Sequence, residues 1–278
     1  MALVKSRAVV LRTHMLGETS RIVVCYTRDY GKVRLVAKGV RRGGGSLGAA
    51  LEPMLVSGVV FYLRQGRDLS LVSQAEVERQ WPALRSNIVR MAYAAAVLEL
   101  TDALVTEHEP DPDLFDLLEL TIELAAKVSE EQLDGMLWWF ELSVASLLGY
   151  APDLTRCVVC GSATRRRAAF APLLGGVVCE VCAPQHRAAT KTTREAVSIL
   201  SALACDGRIA GRTRNEFSGG PPESWLWAAA LASVGVRDEL SESLRALLEE
   251  HAGRQLRLKS MSFLAQVRRT EPEVGKPE

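Results

Sequence analysis

The sequence predicts an α+β protein: a small N-terminal β-barrel, then an α-helical domain into which a four-cysteine segment is inserted. Three observations carry this: β-branched runs through the first 80 residues, a change to helical period from Asn87, and two C-x-x-C pairs at 157–160 and 179–182. With 278 residues, 48% of them hydrophobic, the chain can bury a sizeable core and form one to three domains.

Five short strands are expected at 8–11, 22–27, 33–37, 54–63 and 69–77, with hairpin turns at Asp29-Tyr30-Gly31 and Gln65-Gly66-Arg67. Residues 39–48 are rich enough in glycine to read as a mobile loop. Five strands of this size suit an OB-fold barrel, and on pattern alone an SH3-like barrel fits as well.

Apolar residues then recur at three and four residues, first through Ile88, Met91, Ala95 and Leu98, then through Leu114, Leu117, Leu118 and Ile122. The run 133–148 holds Trp138, Trp139 and Phe140, is apolar around most of its circumference and stops at Gly149, which predicts a buried central helix with a glycine cap. Thr192 and Glu195 read as a capping box ahead of a helix at 196–205, and two further helices are expected near 225–233 and 240–251. The resulting segments are a nucleic-acid-binding barrel at 1–80, a helical domain at 81–156 and 191–269, a zinc finger at 157–190, and a disordered tail at 270–278.

The net charge of +1 averages unlike regions. Residues 1–80 carry 13 Lys+Arg against 6 Asp+Glu, residues 81–156 carry 4 against 14, and residues 157–278 carry 17 against 13. A basic fold followed by an acidic one implies a polyanion partner for the first and a different partner for the second. There is no window of about 18 uncharged apolar residues, and the N-terminal stretch lacks the apolar run and cleavage site of an exported protein. The expectation is a cytoplasmic protein with no membrane partner.

Cys157, Cys160, Cys179 and Cys182 form two C-x-x-C turns 18 residues apart, the spacing of a four-cysteine zinc site. Two such turns aim four sulfurs at one ion about 2.3 Å away and leave no coordination position for water, so the ion expected is one structural Zn²⁺. Two disulfides or a thioredoxin-like redox motif are the competing readings, and His186 is an alternative ligand. Cys25 and Cys205 read as small core residues.

Alternation along the third strand places Lys32, Arg34 and Lys38 on one face while Val33, Leu35 and Ala37 fill the barrel. With Arg41 and Arg42 at the glycine-rich loop and Arg7, Arg12, Arg21 and Arg28 on neighbouring strands, this predicts a groove for a phosphate backbone. Tyr26, Tyr30 and Tyr62 are candidate stacking platforms for bases, or core residues, and Arg165 to Arg167 are a possible second phosphate contact.

The four histidines have no nucleophile or carboxylate at a catalytic spacing, and neither phosphate-loop nor dinucleotide motif is present. Glu107, Glu109, Asp111 and Asp113 lie among Pro110 and Pro112 between two helices, where capping is favoured over metal catalysis. The expectation is a protein that is not an enzyme and has no small-molecule substrate. A metal-dependent nuclease using that cluster, and a zinc-ribbon accessory factor that binds RNA or a polymerase, are the alternatives.

Several segments carry a family likeness. A-V-V-L-R-T (8–13), G-E-T-S-R-I (17–22), Y-G-K-V (30–33) and A-K-G-V-R-R (37–42) resemble the N-terminal OB domain of the bacterial recombination mediator family RecO. Residues 138–148 with G-Y-A-P-D-L (149–154) and C-V-V-C-G resemble its helical core and zinc segment, and L-K-S-M-S-F-L (258–264) resembles its C-terminal close. The resemblance implies a repair protein that binds single- and double-stranded DNA, anneals complementary strands and recognises the acidic C-terminal tail of the single-strand binding protein SSB. It further implies that the protein joins RecR to load RecA recombinase and works at the nucleoid.

Overall fold

The computed structural model describes residues 2–40, 46–63, 68–164, 168–186, 192–205 and 232–270. Strands are β1 (Ala2–Leu16), β2 (Ser20–Thr27), β3 (Gly31–Ala37), β4 (Val56–Leu63), β5 (Ser70–Arg79), β6 (Ala168–Ala171) and β7 (Gly176–Cys179). Helices are α1 (Ser46–Ala49), α2 (Pro82–Arg85), α3 (Ile88–Leu104), α4 (Pro112–Lys127), α5 (Leu133–Leu147), α6 (Arg194–Cys205), α7 (Val234–Ala252) and α8 (Lys259–Thr270). They group into two compact units, Met1–Lys127 with Arg257–Glu278, and Val128–Leu256.

In the first unit the strands close into a barrel in the order β1-β2-β3-β5-β4, antiparallel except where β3 meets β5 at Leu35↔Ser70 and Val36↔Leu71. This is the OB-fold arrangement. β1 is long enough to serve two neighbours: Ala2 to Val9 pair with β4 and Ala8 to Leu16 pair with β2, with a register shift between Val10 and Arg12 where the strand bends. Ala8, Val10, Val23, Cys25, Val33, Leu35, Ala37, Val59, Phe61 and Val72 fill the interior. Tyr30 packs there too, edge-on to Phe61 with ring centroids 5.7 Å apart.

Helices α3 and α4 begin at side-chain caps. Asn87 Oδ1 accepts from the Arg90 amide at 2.9 Å, and Asp111 Oδ1 accepts from the amides of Asp113 and Leu114 at 2.9 and 3.1 Å. The expected capping role of Asp111 is thus observed. Helix α8 packs on α3, and the Glu99 carboxylate of α3 accepts hydrogen bonds from the Ser260 amide and hydroxyl in its first turn. Nothing in the periodicity of the sequence had marked α8.

In the second unit α5 is the central helix expected, with 12 of its 15 residues buried. Gly149, at φ +90°, ends it with amide bonds from Gly149 to Ser146 and from Tyr150 to Ala145. Helix α7 packs against it, with Trp138 Nε1 donating to Ser241 Oγ at 3.0 Å and Arg237 paired to Asp134 at 3.1 Å. The cap of α6 differs from expectation. Thr193 Oγ1 accepts from the Ala196 amide, while Thr192 Oγ1 accepts from the Phe170 amide and donates to the Ala168 carbonyl, tying the helix start to β6.

Several expected features lie outside the described residues: the turn at 65–67, residues 41–45 of the glycine-rich loop, the helix near 225–233 but for its last two residues, and the tail beyond 270. Within the loop region 46–49 is helical.

Glu141 of α5 is fully buried, and its Oε2 has no hydrogen-bond partner. Burial pushes its carboxyl up to about 8, with Asp134 adding to the rise and Arg245 opposing it. The folded state therefore keeps a proton that the unfolded chain releases near 4.5, and stability falls as pH rises from there to about 8. Urea titrations at pH 5 and pH 8 are expected to show a loss on the order of a few kcal/mol across that window in the wild type, and much less in Glu141→Gln.

Candidate nucleic-acid interface and metal site

The outward face of β1, β2 and β3 is the surface on which an OB barrel binds strands. Register sets its rows: Tyr26 beside Lys32, then Arg12, Val24 and Arg34, then His14, Ile22 and Val36. The first row is covered. The chain between α3 and α4 runs across it, with the His108 amide bonded to the Lys32 carbonyl at 3.0 Å and Tyr26 Oη bonded to the backbone of Asp111. Gly31, at φ +62°, permits the approach, because a Cβ there would sit 2.3 Å from the Glu109 carbonyl oxygen.

The expected stacking role of Tyr26 is therefore corrected: its ring is 0% exposed, and burial raises its hydroxyl pKa. Lys32 is also buried, its Nζ donating to the Asp102 carbonyl at 2.8 Å, and burial lowers its pKa against the pull of Asp102 and Glu107.

Most of the remaining expected cations sit against carboxylates. Arg7 bonds Glu78 at 2.8 Å and Glu119 at 2.9 Å, and Arg79 bonds the same Glu119 at 2.8 Å and Glu123 at 2.6 Å. Glu119 is 3% exposed, so two arginines of the barrel converge on one buried carboxylate of α4. Burial works against both guanidinium charges, and the glutamates outweigh it. Arg28 pairs with Asp116, Arg12 with Asp102 at 2.6 Å, Arg34 with Glu107 at 2.5 Å, and Arg21 with Glu52 at 2.6 Å. Arg7 and Arg28 also stand over the Phe115 ring.

One end of the face stays open. Lys38 is exposed, and no ion pair holds it among the described residues. It lies one step along the chain past the row of His14, Ile22 and Val36, with the half-exposed Arg12 and Arg34 on the row before that one. Sequence reasoning missed His14, which the strand register alone brings beside Ile22. Arg41, Arg42 and Arg165 to Arg167 lie outside the described residues. Tyr62 is half-buried on β4, between Leu3 and Leu71, and so lies apart from the β2–β3 face.

The four cysteines do converge. Their Sγ atoms all lie within 4.8 Å of one another, and Cys160 and Cys179 are 3.8 Å apart, the edge of a tetrahedron about an ion with ~2.3 Å metal–sulfur bonds. The sequence makes the cage from two tight turns. Cys157 accepts from the Gly161 amide at 2.8 Å, with Gly161 at φ +72°, and Cys182 donates its amide to the Cys179 carbonyl at 3.1 Å. The hairpin of β6 and β7 carries the second turn, and a Cβ on Gly176 would meet the Asp153 carbonyl at 2.4 Å.

Burial raises the Cys157 thiol pKa, but amide bonds from Cys179, Cys160 and Val159 outweigh this and hold it at about 6. Hydrogen bonding to Cys179, then burial, pushes Cys182 up to about 12. Four thiolates this close repel one another unless a cation sits between them, so the donor set and spacing fit a metal ion. Among the described residues this is the group of three or more His, Cys, Asp or Glu side chains that can share an ion, and His186 is not part of it. Glu107 of the acidic cluster pairs instead with Arg34, and Asp111 caps α4.

Together these features define an OB-barrel protein with a cysteine knuckle able to hold a metal. Comparison with known proteins then places it: the family "Recombination protein O N terminal" matches residues 1–81 and "Recombination protein O C terminal" matches residues 85–211. The chain is 38% identical over 203 residues to the DNA repair protein RecO of Pelotomaculum thermopropionicum, covering 73% of this chain and 77% of that one. It is 36% identical over 212 residues to the RecO of Symbiobacterium thermophilum (75% and 82%) and 39% identical over 183 residues to that of Rubrobacter xylanophilus (66% and 72%). The chain belongs to the RecO family of DNA repair proteins. Among the described residues, no helix is long and apolar enough to cross a membrane.

Two measurements test this geometry. Metal analysis is expected to find one zinc per chain, lost in Cys157→Ser, with a lower melting temperature for the variant and for chelator-treated protein. Glu119→Gln, which removes the buried carboxylate that Arg7 and Arg79 share and leaves each with one glutamate, is expected to cost about 1–3 kcal/mol in urea titration. Glu18→Gln, at an exposed position, should stay within about 0.5 kcal/mol.

Proposed function

We propose that the protein is a recombination mediator that binds single-stranded DNA at the open end of its OB face and acts without an active site of its own. Double-stranded DNA is a further ligand. The observation that carries the reading is the exposed Lys38 at the end of β3, one step past the row of His14, Ile22 and Val36 on the β2–β3 face of a RecO-family barrel, a cation near surfaces against which bases can lie. Arg34 stands two steps earlier on the same face of β3, and Arg41 and Arg42 follow Lys38 closely in sequence.

Annealing needs no bond chemistry. Neutralised phosphates repel one another less, and strands held by their backbones keep their base edges free to pair. The four cysteines would hold one structural zinc, which fixes the knuckle and takes no part in a reaction.

Family membership supports the partners: RecR, the acidic tail of SSB and, through them, RecA, in the bacterial cytoplasm at the nucleoid. Since residues 81–127 carry 3 Lys+Arg against 9 Asp+Glu, an acidic tail must find its cations elsewhere than on the bulk of that segment.

Replacing Lys38, Arg41 and Arg42 together by alanine is expected to weaken binding to an oligothymidylate and to flatten the dependence of log affinity on log salt by about 2, at ~0.7 per single-strand phosphate. An unchanged slope removes this end of the barrel from the DNA path. Annealing of SSB-coated complementary strands, with tail-deleted SSB as control, tests the mediator role itself.

A further inference from the structure

We propose that helix α8 is a second contact surface for single-stranded DNA, with Lys259, Phe263 and Arg269 facing the strand. The proposal rests on the DNA-binding reading above and extends it to residues beyond those that the family descriptions match.

The observation is a patch of composition and placement. From 254 to 270 the chain holds Arg254, Arg257, Lys259, Arg268 and Arg269 and no Asp or Glu. Lys259, Phe263, Gln266 and Arg269 recur at steps of four, three and three, which puts them on one side of α8, and all four are exposed. Leu264, facing the other way, is 1% exposed. The result is a stripe about 15 Å long with a cation at each end and an aromatic ring between them.

Helix stability accounts for only part of it. Arg268 and Arg269 lie in the last turn, where positive charge suits the helix dipole. Lys259 lies in the first turn, where positive charge is disfavoured, and the first turn has no acidic residue of its own. Glu99 of α3 supplies the missing negative charge by accepting from Ser260. Phe263, 48% exposed, contributes little to the core it leaves. A cation kept against the dipole beside a ring kept in water has no role in the fold, and it matches what a polynucleotide needs: charge for phosphates and a face for a base.

The barrel adds a reason. With Arg7, Arg12, Arg28, Lys32, Arg34 and Arg79 all held by carboxylates, Lys38 is the exposed strand-end cation left on the β2–β3 face among the described residues. A strand held by more than one phosphate contact needs further cations, and α8, in the same compact unit as the barrel, carries three that are exposed.

The test is fluorescence anisotropy of the full-length protein with labelled oligothymidylate across a salt series. Three proteins are compared with wild type: Lys259→Ala with Arg268→Ala and Arg269→Ala, Phe263→Ala alone, and Lys38→Ala. The triple variant is expected to flatten the salt slope by about 2. Phe263→Ala should weaken binding about 5- to 100-fold at an unchanged slope, because a stacked ring releases no counterions. Unaltered melting curves and recovery by Lys259→Arg with both arginines restored separate charge from folding.

If Lys38→Ala weakens binding while the α8 variants bind as wild type does, the α8 proposal is overturned and the barrel reading stands. If wild-type protein fails to bind the oligonucleotide, both are overturned. If the α8 variants lose affinity for a labelled acidic peptide and keep it for the oligonucleotide, the surface is a peptide site and the proposal fails.

Discussion

The first unit depends on one arrangement of charge, two barrel arginines meeting on Glu119. A carboxylate that is 3% exposed cannot remain ionised without partners, and Arg7 from β1 and Arg79 from the end of β5 supply them from strands far apart in sequence. Because those strands flank β4 in the closed barrel, the pair of bonds fixes α4 against the barrel at a defined place. Around this point Arg28–Asp116 repeats the same exchange on a second buried carboxylate, and Arg12–Asp102 and Arg34–Glu107 repeat it at more exposed sites, where each is worth less. The opposite charges of residues 1–80 and 81–127 are therefore two sides of one internal seam rather than two surfaces awaiting separate partners.

That seam explains what was legible in the sequence and what was not. Alternation in Val33, Leu35 and Ala37 located the barrel interior, because a side chain's face follows from its place in a strand. It could not say what covers the outer face. Tyr26 and Lys32 read equally well as ligands for DNA or as residues under a loop, and the decision came from chain 76 residues or more beyond them, at residues 108–111. The ends of β1 were missed for a local reason: Lys5, Arg7, Arg12 and His14 break the apolar run, although the backbone continues to pair through them. Helix α8 was missed because Leu264 is its one buried residue and its composition is polar on the whole, so its apolar side is thin.

The cysteine knuckle was legible because its determinants are short-range. Each C-x-x-C turn orients its own two sulfurs, and only the meeting of the two turns requires tertiary structure, here supplied by the β6–β7 hairpin and the Asp153–Gly176 bridge. Its apolar support is small, Cys157, Ala171, Val178 and Cys182 with a few partly buried neighbours. Such a core cannot outweigh the entropy of ordering the chain, which is the physical case for a metal as part of the fold rather than of a reaction.

An internally neutralised barrel also bears on how a mediator of the kind proposed would work. A groove lined by six free cations would hold a single strand tightly at cellular salt and release it slowly, since each neutralised phosphate adds to affinity through released counterions. Annealing requires the opposite: contacts few enough that two complementary strands can shift past one another until they pair. Drawing most of the barrel's arginines into carboxylate pairs lowers the number of phosphates it can hold without changing the fold that presents them. On this account the acidic helices set the strength of DNA binding from a distance, by deciding which cations remain available, and the strand's grip depends on charges at the margins of the unit rather than at its centre.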